Sequence, residues 1–327
     1  MTTTLGPTDQ QIETMRDHVM TSIAMSERKT LASTVRGREK RRKFMWLAVA
    51  SGITAAALVM VSVTWPLGAD GASAQAAEAL HDAATLTVLT ADPIVGPGEY
   101  LKIETSESYS TTGMNADGDF VSWLAPSTRA LYVPGTQSDD WVLERHRLEP
   151  TTFFGDGAQE LAMKDWAINR VDKDTNGIFR APEGFAFAAT LADTSAVPHD
   201  PQKLYDYFVA TDRGGSNSVE ENVWVRITDL LRTGTVPADL RAALYGAASL
   251  VPGVEIIPGG ATVDGQTGLV LGRVENSRTT RQDIIIDPTN GLILGERMVL
   301  TADRSGAPAG TIIAATSVRT SIVDSAP

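Results

Sequence analysis

The stretch DIIIDPTNGLILGERMVL, residues 283–300, reads as strand, turn, strand. Its apolar runs, Asp283–Asp287 and Leu292–Leu300, have strand length and lie either side of a punctuating cluster. That cluster is Asp287-Pro288-Thr289-Asn290-Gly291, in which Asn-Gly supplies the positive φ values of a tight hairpin turn. A link this short can only join antiparallel neighbours. Outward from it, Leu269–Val274 reads as a further strand on one side. On the other, Thr311–Ile322 reads as a last strand after an Asp303–Gly310 loop expected to be flexible.

Upstream the period changes. Asp200-Pro201 starts a helix carrying Leu204, Tyr205, Phe208 and Val209. Val223–Leu231 supplies another, and a third runs from Pro237 to Pro252-Gly253 with Leu240, Leu244 and Ala247 along one side. Further back, strand patterns return: Tyr100–Ser110, Phe120–Leu124, Arg129–Val133 and Trp141–Leu148, separated by Pro126, Pro134 and Gly135. An Ala-rich helix over 73–89 precedes them, expected to bury Ala76, Ala77, Leu80, Ala84 and Val88. Strands, helices, then strands, without a βαβ rhythm, define an α+β fold: an antiparallel sheet with helices packed on one face. No repeat of solenoid or propeller period occurs.

Residues 44–69 contain no charged side chain, while Arg36, Arg38, Lys40, Arg41, Arg42 and Lys43 stand just before them. Phe44–Trp65 as a helix spans roughly 33 Å, enough to cross a hydrocarbon core of roughly 30 Å once. Trp46 and Trp65 fall at the two headgroup boundaries, and the basic cluster keeps the N-terminus cytoplasmic. The expected organisation is a cytoplasmic region 1–43, a transmembrane helix 44–66 and an extracytoplasmic domain 67–327, a cell-membrane location. The rival readings are a cleaved secretory signal, with Ala72-Ser73-Ala74 as the small-x-small site before Gln75, and a buried core helix of a soluble protein. Forty-three preceding residues and the length of the apolar run favour a retained anchor.

The net charge of −12 is unevenly shared: residues 1–43 carry +4, residues 70–327 carry −16. An acidic exterior argues against nucleic acid as a partner, since that needs a basic footprint. The absence of cysteine removes disulfides, thiolate metal sites and thiol catalysis. On the cytoplasmic side Thr8 and Gln11 form a capping box, followed by an apolar stripe of Ile12, Met15, Val19 and Ile23. The readings of residues 12–23 are a partly ordered tail, a helix that docks on a cytoplasmic protein partner, or one that lies on the bilayer.

The order of these features resembles a large family of actinobacterial single-pass membrane proteins, often encoded beside extracytoplasmic-function sigma factors. The likeness rests on Ala72–Leu80, Pro97-Gly98-Glu99-Tyr100, Asp200-Pro201, Val236–Tyr245, Leu250–Val254 and Ile286-Asp287-Pro288-Thr289. It implies a membrane location and a link to sigma-factor signalling, and no reaction. A zinc-type anti-sigma element is missing, because His18 has no cysteine to join it. Direct sigma contact would fall to the Ile12–Ile23 stripe. The exterior order is also similar, as fold analogy only, to the sheet-over-helix carriers of bacterial lipoproteins and lipids. The expected function is a non-catalytic envelope regulator, with a membrane-tethered carrier of an apolar ligand as the alternative.

One chemical motif stands out. Asp172, Asp174, Asn176, Gly177 and Glu183 fit the spacing of an EF-hand calcium loop. Arg180 at the ninth place and Pro182 and Gly184 around Glu183 oppose it, and the competing reading is a hairpin turned at Asn176-Gly177. No catalytic or cofactor-binding residue is assigned. His18, His81, His146 and His199 are scattered, no Gly-x-Ser-x-Gly or His-Glu-x-x-His occurs, and Ser26-Glu27-Arg28-Lys29 lacks its companion motifs. Trp123, Trp141, Trp166 and Trp224 read as core aromatics.

Overall fold

A computed structural model describes residues 71–327, apart from 91, 137, 174–175, 183–196, 213, 215 and 276. The expected helix at 12–23 and span at 44–66 lie outside the described residues. Among the described residues no helix is long and apolar enough to cross a membrane.

The chain is α+β. Helix α1 (Ala74–Leu89) starts at Ser73, whose side chain accepts from the Ala76 N–H. Strands β1 (Tyr100–Met114), β2 (Phe120–Pro134), β3 (Trp141–Arg147) and β4 (Thr152–Phe154) follow, then α2 (Ala158–Asn169) and β5 (Gly177–Ala181). Next come α3 (Pro201–Ala210), capped by Asp200, α4 (Val219–Leu231), capped by Ser218, and α5 (Ala238–Ser249). Strands β6 (Val254–Ile256), β7 (Leu269–Glu275), β8 (Thr280–Ile286), β9 (Ile293–Leu300) and β10 (Ile312–Val323) complete the described chain. All ten strands form one antiparallel sheet in the order β5-β3-β2-β1-β10-β9-β8-β7-β6, with β4 beside β2.

Several expectations need correction. Phe120–Leu124 and Arg129–Val133 are one continuous strand through Pro126. Proline survives there because its carbonyl accepts from the Leu148 N–H, so its missing donor faces the same outer edge, where β2 changes partner from β3 to β4. The 287–292 turn is looser than an Asn-Gly pair: Gly291 alone is left-handed, at φ 71°, and its N–H bonds the Asp287 carbonyl at 2.9 Å. The Asp287 carboxylate organises the turn, accepting from Thr289 N–H and Asn290 Nδ2. A Cβ on Gly291 would strike the Ala83 carbonyl and crowd Thr87 N, because this turn docks on α1. That contact selects Ala76, Leu80, Ala83 and Thr87 as the buried face of α1; Val88 is 57 % exposed. The Asp303–Gly310 segment is a folded turn, not a loose loop: Arg304 and Ala307 exchange backbone bonds across Ser305-Gly306, and Ala307 is buried.

The main core lies between α1, α3, α4, α5 and one face of β6–β9, through Leu271, Ile284, Ile286 and Ile293. Helix α5 runs through its centre and buries Leu240, Leu244, Tyr245 and Ala247 completely. The same sheet face continues across β10, β1, β2 and β3, where Val318, Ile103, Leu131 and Leu143 form a second cluster. Helix α2 covers it at β2 and β4, with Leu161 meeting Gly113 and Trp123. On the opposite face the fully buried Asp283 is clamped by Arg281 and Arg297 at 2.7 and 2.8 Å, beside Gly272, where any Cβ would collide with its carboxylate. Hydrogen-bonded satisfaction on both oxygens is what lets a carboxylate sit there.

Candidate functional site

The sheet splits along one seam. Strand β10 pairs with β9 only from Ile312 to Ser317, while its pairing with β1 continues to Val323 opposite Tyr100. Beyond Ser317 the two halves part, and a cleft of about 580 Å³ opens beneath the chain joining α4 to α5. Its wall is apolar: Leu101 and Val318 from one half, Ile293 and Leu294 from the other, Leu231 and Val236 above. The polar groups at its end are already engaged. Arg241, 7 % exposed, bonds Thr87 Oγ1, the Val236 carbonyl at 2.6 Å and Asp92 Oδ1 at 3.0 Å. Asp92 Oδ2 in turn accepts from the Ala238 N–H at the start of α5. Leu89 and Ile94, next in sequence to the lining residues Thr90 and Pro93, are 72 % and 90 % exposed. A largely apolar recess with a few fixed polar groups suits an apolar or amphipathic small molecule.

A second cleft, about 520 Å³, lies between α4 and β1, β9 and β10. Arg232, just past α4, donates to Tyr109 Oη at 3.0 Å, pairs with Asp229 at 2.7 Å and stands 3.6 Å from Glu296 Oε1. Glu296 faces inward because it pairs with Ile284, a core position, across β8–β9. Its Oε2 is buried and has no hydrogen-bond partner. Burial pushes the Glu296 carboxyl above the ordinary carboxylate range, Arg232 opposing and Asp229 adding to the shift. Burial likewise raises the Tyr109 phenol, against Arg232. Burial works against the Arg232 charge, but Glu296 and Asp229 outweigh it and hold its pKa up. A desolvated carboxylate in a cleft is a functional-site signature.

The calcium loop is only partly in view. Asp174 and Glu183 lie outside the described residues. Asn176 serves the fold: its Oδ1 accepts from Arg147 N–H and its Nδ2 donates to the Arg170 carbonyl. From Gly177 to Ala181 the chain is a strand paired with β3 and entered from α2, so it is not the expected hairpin, and the place of an EF-hand's second helix, at and after Glu183, lies outside the described residues. Among the described residues no group of three or more His, Asp or Glu is placed to hold a metal. His146 and His199 pair separately with Glu144 and Asp239. Trp224 is core, as expected, its indole donating to the Gln282 carbonyl. The signal for Glu296 was present as a carboxylate in a strand of apolar residues, but its phase depended on pairings that sequence does not state. No protein-family model and no curated protein matches the chain.

Proposed function

We propose that this chain is a membrane-tethered binding module of a bacterial cell envelope, anchored by residues 44–66, with its acidic domain outside and an apolar ligand held in the seam cleft. The observation that carries this reading is the apolar recess of about 580 Å³ between Leu101, Val318, Ile293 and Leu294. A sheet carrying helices on one face, with an opening between sheet and helices, is what a carrier of apolar molecules requires. A second reading, favoured by the Ile12, Met15, Val19 and Ile23 stripe, adds an output. There, occupancy outside is relayed to a cytoplasmic partner, a sigma factor being the one the family resemblance suggests.

The test is photolabelling of the full chain in lipid nanodiscs with a diazirine-bearing acyl probe. Labelling is expected on cleft residues, and to be largely lost in Leu294→Trp and Val318→Trp, which fill the recess. Undiminished labelling in both variants removes the reading. Retention of no cytoplasmic protein by residues 1–43 in a pull-down removes the relay alone.

A further inference from the structure

On the helix-covered face, β3 presents Trp141, Leu143, Arg145 and Arg147 in phase, opposite Val133, Leu131, Arg129 and Ser127 of β2. The first two join the second apolar cluster; the next two are arginines. Arg129 stands directly opposite Arg145, an arrangement that repels. Glu107, on β1, lies 3.9 Å from Arg129 and accepts from the Ser127 hydroxyl. Among the described residues no carboxylate pairs with Arg145 or Arg147, and the Nε of each is buried without an acceptor. This is in a domain whose acidic side chains outnumber its basic ones by 16.

Two neighbours share the same deficit. The indole N–H groups of Trp166, on α2, and of Trp123, on β2 and only 4 % exposed, are buried and unpartnered. The end of α2 is tied to the end of β3: Asn176 bridges Arg147 N and the Arg170 carbonyl at 3.1 and 2.8 Å, and Arg170 N bonds the Trp166 carbonyl at 2.9 Å. Between Trp123 and Ser127 on this face stands only Ala125. Opposite Arg145 on β5 is Gly177, with open space where a Cβ would be. Every orphaned group in this corner is a donor. Buried N–H groups are normally paired, so these four unpartnered donors, carried by β2, β3 and α2, point to a missing acceptor.

We propose that this corner, between α2 and the β2–β3–β5 edge, is an oxyanion site that takes the phosphoryl group of a phosphate or phosphate ester. Arg145 and Arg147 supply charge-assisted donors and Trp166 a neutral one. A phosphoryl group offers more acceptor oxygens than a carboxylate, matching a set of donors spread over two arginines and an indole. The site shares no wall with the seam cleft and does not rest on it.

The test compares thermal melting and tryptophan emission of the full chain in detergent micelles, in inorganic phosphate and in chloride of equal ionic strength. Phosphate is expected to raise Tm and shift the emission. Arg145→Gln and Arg147→Gln should each weaken the apparent affinity roughly tenfold, the scale of one charge-assisted bond. Lys203→Gln, an exposed charge on α3, should leave it unchanged. Cooperative melting in chloride establishes that each variant folds, and Arg145→Lys and Arg147→Lys, which keep the charge but lose the fork, should bind with intermediate strength. Dihexanoyl phosphatidic acid identifies the source: tighter binding than inorganic phosphate points to a lipid headgroup, equal or weaker binding to free phosphate. No phosphate effect in the wild type, or an equal effect in the double glutamine variant, overturns the proposal. Either result leaves acyl photolabelling of the seam cleft unaffected.

Discussion

Glu296 shows how a single side chain acquires its properties from its neighbours. Its side chain is 12 % exposed, one oxygen reaches Arg232 only at 3.6 Å, and the other has no partner. Its folded pKa is raised, so between the unfolded value and the folded one the native state holds more protons than the unfolded chain. Stability from this group is therefore fully present below the unfolded value and declines as pH rises through the folded value. Glu296→Gln should remove that decline and raise Tm at pH 7 by a few degrees, while Asp229 keeps Arg232 paired. Melting curves from pH 4 to 8 decide it; parallel profiles for wild type and variant would refute the assignment. Asp264 is the opposite case. Burial raises its carboxyl, but bonds from Thr262, Arg319 and Gln266 win and hold it down to about 2. Its contribution persists through the mildly acid range, so it does not confuse that measurement. Neither role could be read from composition, because Glu296 depends on Arg232, 64 residues away, and Asp264 on Arg319, 55 residues away, besides its local partners Thr262 and Gln266. Arg145 and Arg147 were legible in part: they share the phase of Trp141 and Leu143, and charge in phase with core residues was visible in the strand pattern.

Helices and strands whose ends carry their own chemistry were legible before any packing was known. Asp200 accepts from the Lys203 N–H at 3.0 Å and Pro201 occupies the first helical position. Asp200→Ala should cost about 1 kcal/mol and lower Tm by a few degrees without changing the fold, read by melting and far-ultraviolet circular dichroism. An unchanged Tm would mean that packing of Leu204 and Phe208 alone holds α3. The elements missed were β4, α2, β5 and β6. Strands β4 and β6 are three residues each and exist only through pairing with β2 and β7. Helix α2 begins after a left-handed Gly157 that offers no side-chain cap. It exposes Ile168 at 70 %, so its sequence lacks a clean apolar stripe. Pro126 misled for a related reason: a proline breaks a strand only where its absent donor is needed, and here that donor faces a gap between partners.

Taken as one chain, the charge is segregated, +4 before the apolar run and −16 after it, and the proposed topology follows from that asymmetry. The intact polypeptide should sediment with membranes, with the acidic domain open to protease from outside and residues 1–43 protected. Recovery of the unprocessed chain in the aqueous fraction would end that proposal. Fold class, strand direction and the order of most elements followed from the sequence itself, because hydrophobic period, turn residues and caps act over a few neighbouring residues. The parting of β9 from β10, the turn of Gly291 onto α1 and the convergence of Glu296 with Arg232 and Tyr109 were decided only in three dimensions. The same holds for the arginine corner between β3 and α2. The placing of Glu296, Arg145 and Arg147 depends on strand register, and a shift of a single residue would send those side chains to the opposite face, while the Gly291 contact depends on where α1 docks.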